Sequence, residues 1–323
     1  MRCEQEMMDL ILGFARRDER VRLVTMEGSR MNPRAPRDRF QDYDICYLVT
    51  EMESFLSSDD WLIFFGERII MQKPEAMSLF PPSSGGNRFA YLMLFEDENR
   101  IDLNLVPLAE MGDYFQGADS QTKILLDKDG RGPSLPPPSD RDYWVKKPSA
   151  VFVDNCCNEF WWLATYVVKG LCRKELPYSI HHLDLMREQL LSMVSWKAGV
   201  ETDFSVSMGK SYKYLSNYIS PLLWERIKAT WRNDNEENVW GSLLLCCEIF
   251  KEVSGELENL LGYAHNSYGA KVEAYVKGYA PDRVGPPDPA NPSFQCHTGR
   301  DNADEKGFVR RKSGSQSLDG SSS

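Results

Sequence analysis

The feature that most restricts the fold of this 323-residue chain is a change of residue pattern near its middle. Up to residue 107, apolar residues occur mainly in short runs bounded by turn residues, which is typical of strands. Residues 154–278 instead carry long helical patterns, such as CCNEFWWLATYVVKGLCRK and ENVWGSLLLCCEIFKEVSGEL. The contrast predicts an α+β protein, in which a mixed sheet with helices is followed by an all-helical bundle domain.

The first region is predicted to contain a helix and two strands, then a second helix and two more strands. This order favours a small mixed sheet with its helices on one side. Ser57 or Ser58 is placed to cap the second helix. The predicted helices are residues 1–18 and SSDDWLIFFGERI (57–69), and the predicted strands are RLVTM (22–26), DYDICYLV (42–49), RFAYLMLFED (88–97) and NRIDLNLVP (99–107).

A segment rich in glycine and proline, GRGPSLPPPSDRDYW (130–144), lies between the two patterns. Such composition is typical of a connection between domains. We therefore expect one domain over residues 1–148 and a helical domain over residues 149–280. Residues 281–323 show no apolar period and are expected to form a disordered tail.

The net charge of -10 argues against general binding of nucleic acids and would attract a cationic ligand. The charged N-terminus is typical of an amphipathic helix and not of a signal peptide, and no apolar run approaches transmembrane length. The eight cysteines show no CxxC spacing, so we expect reduced thiols and no zinc site. These features predict a cytoplasmic protein without a membrane partner. The oligomeric state stays open, and a monomer is compatible with the sequence.

Three aspartates stand where a buried strand would normally carry apolar residues. Asp42 and Asp44 are one residue apart, so in a strand they share a face, with their Cα atoms roughly 7 Å apart. Two ionised carboxylates at that spacing repel each other and need a cation or a shared proton. Asp102 lies within the apolar alternation of NRIDLNLV, and it would join them if the two strands pair. Three hard oxygen ligands of this kind predict a magnesium site.

A phosphate-binding turn is predicted just before these aspartates. Gly28 allows a tight turn after the strand RLVTM, and the Ser29 hydroxyl with nearby N–H groups can bind phosphate oxygens. Arg30 adds a forked cation. A lone Gly-Ser pair or a lone DxD is a weak signal. The combination favours a nucleoside triphosphate bound at the turn and a two-metal site for an in-line displacement.

At these residues the sequence resembles the nucleotidyltransferase superfamily of DNA polymerase beta type, and within it the aminoglycoside 6-adenylyltransferases. The resemblance covers roughly residues 1–278 and includes VTMEGSR, FQDYDI, SDDWL, MQKPE, YLMLFED, IDLNLVPL, DNCCNEFWW, KGLCRKE, SWKAGVET and GKSYKYL. It implies that residues 1–148 form the catalytic domain. It also implies ATP as co-substrate with Mg²⁺, two ions being expected, and transfer of AMP to a hydroxyl of the streptidine ring of streptomycin. Pyrophosphate would be released and antibiotic resistance would result.

The resemblance also implies roles for the residues of the motif. Gly28 and Ser29 match the phosphate turn, Asp42 and Asp44 match the paired metal ligands, and Asp102 matches the third carboxylate. In related enzymes that carboxylate is placed to accept the proton of the acceptor hydroxyl, and here it could instead be a metal ligand alone. Some relatives carry a base four residues before a phosphate-binding lysine. Here that position, before Lys169, is Thr165, which cannot act as a base and so favours Asp102.

The helical region offers further candidates for nucleotide binding. Lys169 could contact the α- or β-phosphate, although an apolar helix more often carries such a lysine at its surface. Lys210, Tyr212 and Lys213 mix cations with aromatic rings after a glycine, and they could clamp the phosphates or the base. The competing interpretation is a solvated basic face at the start of a helix.

A polycationic acceptor would be bound by carboxylates and aromatic faces. Asp154, Glu159 and Trp162 offer both on one segment, and Glu159, Trp162 and Tyr166 share a helix face by their spacing. Aromatic residues at helical spacing are more often part of a core. We therefore take the three residues as candidate acceptor contacts, with burial in a core as the alternative.

Two further functions remain open from the sequence. The same catalytic head could modify a different acceptor, or the protein could be a non-catalytic nucleotide-binding interaction module. The intact set Ser29, Asp42, Asp44 and Asp102 argues against the second function. A polymerase is disfavoured by the acidic charge and by the lack of a basic groove in the sequence.

Overall fold

A computed structural model describes residues 1–79 and 87–281, and it confirms the α+β class. The strands form one six-stranded mixed sheet in the order β3-β4-β5-β2-β1-β6. Strands β2 and β5 pair in parallel, whereas β1–β2, β1–β6, β3–β4 and β4–β5 are antiparallel. The strands are β1 (Val21–Glu27), β2 (Tyr43–Val49), β3 (Arg68–Gln72), β4 (Phe89–Phe95), β5 (Arg100–Pro107) and β6 (Lys123–Asp127).

The helices of the first half are short apart from the first one, whereas three helices of the second half have 23 to 26 residues. α1 at the N-terminus confirms the amphipathic helix expected there, because it buries Met7, Ile11 and Phe14. The helices are α1 (Glu4–Arg17), α2 (Glu53–Leu56), α3 (Met111–Gly117), α4 (Ala150–Cys172), α5 (Leu176–Glu201), α6 (Pro221–Ala229), α7 (Glu236–Leu261) and α8 (Gly269–Tyr279).

The sheet is covered on both faces, which corrects the expectation of helices on one side. Tyr43, Ile45 and Tyr47 of β2 pack in one core with α1, and Tyr47 Oη donates to the carbonyl of Ile11 at 2.6 Å. Successive residues of a strand point to opposite faces. The other face of β2 therefore carries Asp44, Cys46 and Leu48, and α3 packs on it through Tyr114. The seven residues of α3 were not predicted as a helix because so short a segment shows little periodicity.

The segment 57–69 was predicted as one helix, and this prediction is wrong. Residues Asp60–Phe65 form a 3-10 helix, and Arg68–Gln72 form the edge strand β3. Neither serine is the cap residue, although Ser58 Oγ accepts from the backbone N–H of Asp60 at 3.1 Å. The aromatic residues of this run pack under the sheet edge rather than along one helical stripe. For example, the ring of Trp61 packs edge-on to Tyr91 of β4 at 5.4 Å.

The helical region has a separate core formed mainly by α4, α5 and α7. The rings of Phe160 and Phe250 stack at 3.7 Å between centroids, and Ser149 caps α4 by accepting from the N–H of Phe152 at 3.2 Å. Strands end at Asp127 and long helices begin at Ala150, so the architecture changes within the proposed linker. The domain division at residue 148 remains a proposal, and the predicted tail from residue 282 on lies outside the described residues. No helix in the described ranges is long and apolar enough to cross a membrane.

Candidate active site

The strand register brings acidic residues of three neighbouring strands into one row. In the β2–β5 ladder Asp44 is paired with Asp102, which confirms the predicted convergence. In the β1–β2 ladder Asp44 is also paired with Glu27, the last residue of β1. Paired residues on adjacent strands project from the same face of a sheet. Asp42 lies just before β2 and two residues from Asp44, so it adds a fourth carboxylate to this face. We call Glu27, Asp44 and Asp102 together the carboxylate row.

Burial and mutual repulsion disfavour the ionised form of the central carboxylates. Burial raises the pKa of Asp44 to about 6, and the charges of Asp102, Asp42 and Glu27 contribute further. Burial also raises the pKa of Asp42, while the charge of Arg100 opposes that shift. Negative charge thus accumulates on this face beyond what the surrounding protein neutralises. An added cation would be stabilised here.

Arg100 is the basic side chain that partly neutralises these carboxylates. Its Nε and Nη2 each donate to one oxygen of Asp102 at 2.8 Å, and its Nε lies 3.7 Å from Asp42 Oδ1. This fork engages one lone pair on each oxygen of Asp102, so Arg100 competes with a metal ion or a proton for that carboxylate without excluding either. No group of three His, Cys, Asp or Glu side chains forms a ready metal site in the part of the chain that the structure describes.

Arg100 was not among the residues predicted for this site. A signal for it was available, because Arg100 and Asp102 are two residues apart in a predicted strand and therefore share a face. The donor set as a whole still fits Mg²⁺, since Asp42, Asp44 and Asp102 supply hard carboxylate oxygens on one face. Arg100 would compete with a metal ion for Asp102, because its two hydrogen bonds already stabilise that carboxylate.

Position 28 requires a glycine, because β1 and β2 approach each other closely at the carboxylate row. Its φ of +71° lies in the left-handed region, and a Cβ placed there would overlap Asp44 Oδ2 and lie 2.9 Å from Asp44 Cγ. Gly28 and Ser29 begin a 3-10 turn, Gly28–Arg30. The Gln41 side-chain amide donates to the carbonyl of Ser29 at 3.2 Å and so fixes the turn beside the carboxylates.

Arg30 is engaged by the loop that precedes β2. Its side chain is buried, with Nε donating to the carbonyl of Asp42 at 3.0 Å and Nη2 donating to the carbonyl of Gln41 at 2.9 Å. Its guanidinium also stacks on the ring of Tyr43 at 3.7 Å. In this arrangement Arg30 positions the backbone of Asp42, and its Nη1 lies 3.4 Å from Glu4 Oε2.

The segment that follows α5 connects the helical region to the active site. Arg34 Nη1 donates to the carbonyl of Ser205 at 2.8 Å, and the N–H of Val145 donates to the carbonyl of Val206 at 2.9 Å. Lys213 lies near enough for its charge to favour the ionised form of Asp42, although burial is the largest influence on that pKa and raises it. Of the predicted nucleotide contacts in this region, Lys213 is therefore the one whose charge acts on Asp42.

A cavity of about 880 Å³ adjoins this segment, between the linker and the N-terminus of α4. Tyr212 is fixed at its edge by a hydrogen bond of 2.8 Å between its hydroxyl and Ser192 Oγ. Gly209, Ser211 and Tyr212 all adopt positive φ angles there, which is typical of strained loops at functional sites. The cavity wall carries three lysines and several aromatic rings, including Lys146, Lys147, Lys210, Tyr143, Trp196 and Tyr212.

Lys169 contacts two aromatic rings of the helical region. Its Nζ lies 4.6 Å from the ring centroid of Tyr166 and 5.3 Å from that of Tyr178. These cation–π contacts account for its position on an otherwise apolar helix. Within residues 1–79 and 87–281, no hydrogen bond or ion pair joins Lys169 to the catalytic carboxylates, so its role in nucleotide binding stays a prediction.

The predicted acceptor contacts lie on the solvent-facing side of α4. Trp162 is 57% exposed, which excludes burial in a core, and its Nε1 donates to the hydroxyl of Tyr166 at 3.0 Å. Glu159 is exposed on the same side, and Asp154 accepts from the hydroxyl of Tyr268 at 3.2 Å. No hydrogen bond or ion pair among the described residues joins these side chains to the carboxylate row, so their role also stays a prediction.

A Gly-Ser turn followed by paired aspartates, with a third aspartate on the neighbouring parallel strand, defines a nucleotidyltransferase. A family model described as "Streptomycin adenylyltransferase" matches residues 1–279, and the chain belongs to that family. It is similar to the aminoglycoside 6-adenylyltransferase of Bacillus subtilis (strain 168), with 48% identity over 279 residues, 86% of this chain and 98% of the relative.

Further relatives carry the same description. The aminoglycoside 6-adenylyltransferase of Campylobacter jejuni is 48% identical over 85% of this chain and 95% of its own length. The one from Staphylococcus aureus is 36% identical over 86% of this chain and 98% of its own length. Among solved structures, an aminoglycoside 6-adenyltransferase from Bacillus subtilis is 44% identical, covering 86% of this chain and 99% of that chain, with a TM-score of 0.43.

Proposed function

We propose that the protein transfers AMP from magnesium-ATP to a hydroxyl of an aminoglycoside and releases pyrophosphate. The observation that carries this proposal is the register that pairs Asp44 with Asp102 directly beside the Gly28–Ser29 turn. Membership of the streptomycin adenylyltransferase family favours streptomycin as the acceptor, at the 6-position of its streptidine ring. Modification of the antibiotic would give resistance, and the reaction would take place in the cytoplasm, where ATP is available.

Asp42, Asp44 and Asp102 would hold Mg²⁺, and we expect two ions. The metal supplies positive charge that stabilises the attacking and leaving oxygens of the displacement. The chain's own part is to position the phosphates. Ser29 and the N–H groups of its turn would bind phosphate oxygens, and Arg30 would position the loop that carries Asp42.

The nucleotide and the acceptor differ in charge, and the two sides of the site differ accordingly. Lysines around the cavity near residues 207–212 suit a triphosphate, and Lys210, Tyr212 and Lys213 are the proposed contacts, with Lys169 as a further candidate. A polycationic acceptor would be repelled there and attracted to carboxylates. Asp154, Glu159 and Trp162 on α4 are the proposed outer contacts for the acceptor.

We propose Asp102 as the group that accepts the proton of the acceptor hydroxyl. It lies at the edge of the row next to Asp44, and Thr165 leaves the helical region without a base at the position used by some relatives. Arg100 donates to both oxygens of Asp102, and each oxygen keeps a lone pair that can accept the proton. A role of Asp102 as a metal ligand alone is the alternative.

The test is an assay of pyrophosphate release with Mg²⁺, ATP and streptomycin, with kanamycin and spectinomycin as comparison acceptors. We expect release with streptomycin, and none from the Asp44→Asn variant, which serves as the matched inactive control. Release with another acceptor alone would replace streptomycin by that acceptor. A folded wild-type protein that binds ATP but modifies none of the three would overturn streptomycin as the acceptor and leave two alternatives, a different acceptor or a non-catalytic interaction module.

A further inference from the structure

Glu27 is a member of the carboxylate row to which the reaction above gives no role. It is the last residue of β1, immediately precedes the phosphate turn and is paired with Asp44 across the ladder. Paired residues on antiparallel strands bring their Cβ atoms to about 5 Å from each other. Glu27 therefore lies on the catalytic face, on the opposite side of Asp44 from Asp102.

The side chain of Glu27 is held by a chain of buried hydroxyl groups. Tyr114 donates its hydroxyl to the carboxylate of Glu27, and Thr25 is hydrogen-bonded to the same hydroxyl. Tyr114 is 5% exposed and Thr25 is fully buried, so this relay is part of the core between the sheet and α3. Two buried neutral groups thus fix the direction of one carboxylate at the edge of the active site.

The negative charge of Glu27 has no ion-pair partner among the described residues, and its hydrogen-bond partner is the neutral Tyr114. The guanidinium of Arg88 lies 5.6 Å from the ring centroid of Tyr114 and is exposed. Burial and the charge of Asp119 raise the pKa of Glu27, and the charge of Arg88 opposes this shift only in part. A partly buried carboxylate in such surroundings is stabilised when a cation binds to it.

The two substrates would respond to this charge in opposite ways. A fourth carboxylate beside Asp44 repels the phosphates of the nucleotide, so it does not assist nucleotide binding. The proposed Mg²⁺ ligands are Asp44 and, on the side of Asp44 away from Glu27, Asp42 and Asp102. The remaining cationic component of the proposed reaction is the acceptor, whose reacting hydroxyl must come close to this row.

We propose that Glu27 binds the cationic group, a guanidinium or an ammonium, that neighbours the reacting hydroxyl of the acceptor. The contact is a charge-assisted hydrogen bond that sets which hydroxyl faces the nucleotide. Glu27 is thus a specificity-determining residue, and Tyr114 is a positioning residue that acts through it. The inference rests on the proposed function, because it needs a cationic acceptor.

The test compares Glu27→Gln, Glu27→Asp and the control Asp113→Asn, an exposed carboxylate on the same helix as Tyr114. Binding of streptomycin is measured by calorimetry with Mg²⁺ and α,β-methylene-ATP, and KM and kcat are measured with ATP. We expect Glu27→Gln to weaken streptomycin binding about 10- to 100-fold and to reduce its dependence on salt. The KM for ATP should not rise. Glu27→Asp should retain part of the affinity, and Asp113→Asn all of it.

The possible outcomes distinguish the role of Glu27 from the proposed acceptor. Unchanged streptomycin affinity in Glu27→Gln, or a loss confined to kcat, would overturn the role of Glu27 and leave the proposed reaction intact. A wild-type protein that binds the nucleotide analogue but no streptomycin would instead overturn the proposed acceptor. If Glu27→Gln does not fold, Tyr114→Phe carries the test, since it removes the donor but keeps the ring. Full streptomycin affinity in that variant would count against the inference.

Discussion

At the scale of single residues, the site is governed by uncompensated negative charge. Asp44 has acidic neighbours on both adjacent strands, and burial with these charges raises its pKa to about 6. Arg100 offsets part of the charge through its fork on Asp102. Such an arrangement weakens the fold in the absence of ligands and favours cation binding, which is a common compromise at catalytic sites.

The raised pKa of Asp44 predicts a specific dependence of stability on pH. Between about pH 4 and 6 the folded state keeps a proton that the unfolded chain has released, so the contribution of this group to the free energy of unfolding falls as pH rises. We expect Asp44→Asn in EDTA to raise the free energy of unfolding at pH 7.5 by about 1–3 kcal/mol, and to change it little at pH 4. Urea unfolding followed by tryptophan fluorescence measures this. A variant destabilised equally at both pH values would contradict the prediction, and Asp113→Asn is the control.

The hydrogen bonds of Arg100 to Asp102 predict that Arg100 competes with metal ions for this carboxylate. Because its guanidinium occupies both oxygens of Asp102, Arg100→Gln should bind Mn²⁺ about 10-fold more tightly than the wild type in the absence of nucleotide. Titration of Mn²⁺ followed by electron paramagnetic resonance gives the affinity. Arg39→Gln is the control, since that side chain is 62% exposed and lies 3.9 Å from Glu98. An equal or lower Mn²⁺ affinity in Arg100→Gln would show that the fork supports the site instead of competing for it.

At the scale of secondary-structure elements, the site depends on how the strands and one irregular segment are placed. The parallel pairing of β2 with β5 aligns Asp44 with Asp102, and the antiparallel pairing with β1 adds Glu27. Several residues of the segment after α5 have left-handed backbone conformations. This segment places Lys213 near enough for its charge to act on Asp42. Strained backbone of this kind is common at functional sites, and we take it as support for a functional role of this segment.

Lys213 predicts a selective effect on the nucleotide. Lys213→Ala should raise the KM for ATP about 5- to 20-fold, because it removes a cation from the side of the site assigned to the phosphates. The KM for the acceptor should change little or fall. Steady-state kinetics with each substrate varied in turn measures both constants. Lys271→Ala, an exposed lysine on α8, is the control, and an effect confined to the acceptor would contradict the assignment.

At the scale of the whole molecule, the sheet region and the helical region meet at the active site. The contact of Arg34 with the carbonyl of Ser205 and the hydrogen bond between Val145 and Val206 join them close to the phosphate turn. The two cores are otherwise separate, since one is formed by the sheet with α1 and the other mainly by α4, α5 and α7. We therefore expect their relative position to influence how Lys213 approaches Asp42.

Arg34 predicts that weakening this connection affects catalysis more than stability. Arg34→Gln removes a charged donor from Ser205, which should cost about 1–2 kcal/mol of interaction between the regions. We expect kcat/KM for ATP to fall about 5- to 30-fold while thermal unfolding shifts by only a few degrees. Arg37→Gln, an exposed arginine on the same segment, is the control. Unchanged kcat/KM in Arg34→Gln would show that the contact does not position the site.

The α+β class, four of the six strands, the long helices and the spacing of Asp42 and Asp44 could be read from the amino-acid sequence, as could the resemblance to a family. These features are local, because apolar periodicity and turn residues act over a few neighbours along the chain. Only the tertiary structure decided the strand register that adds Glu27 to the row, the fork of Arg100 and the approach of Lys213. It also divided residues 57–69 into a 3-10 helix and a strand, and left Trp162 exposed while Trp161 is buried. Register and burial depend on partners distant in the chain, and no local pattern specifies them.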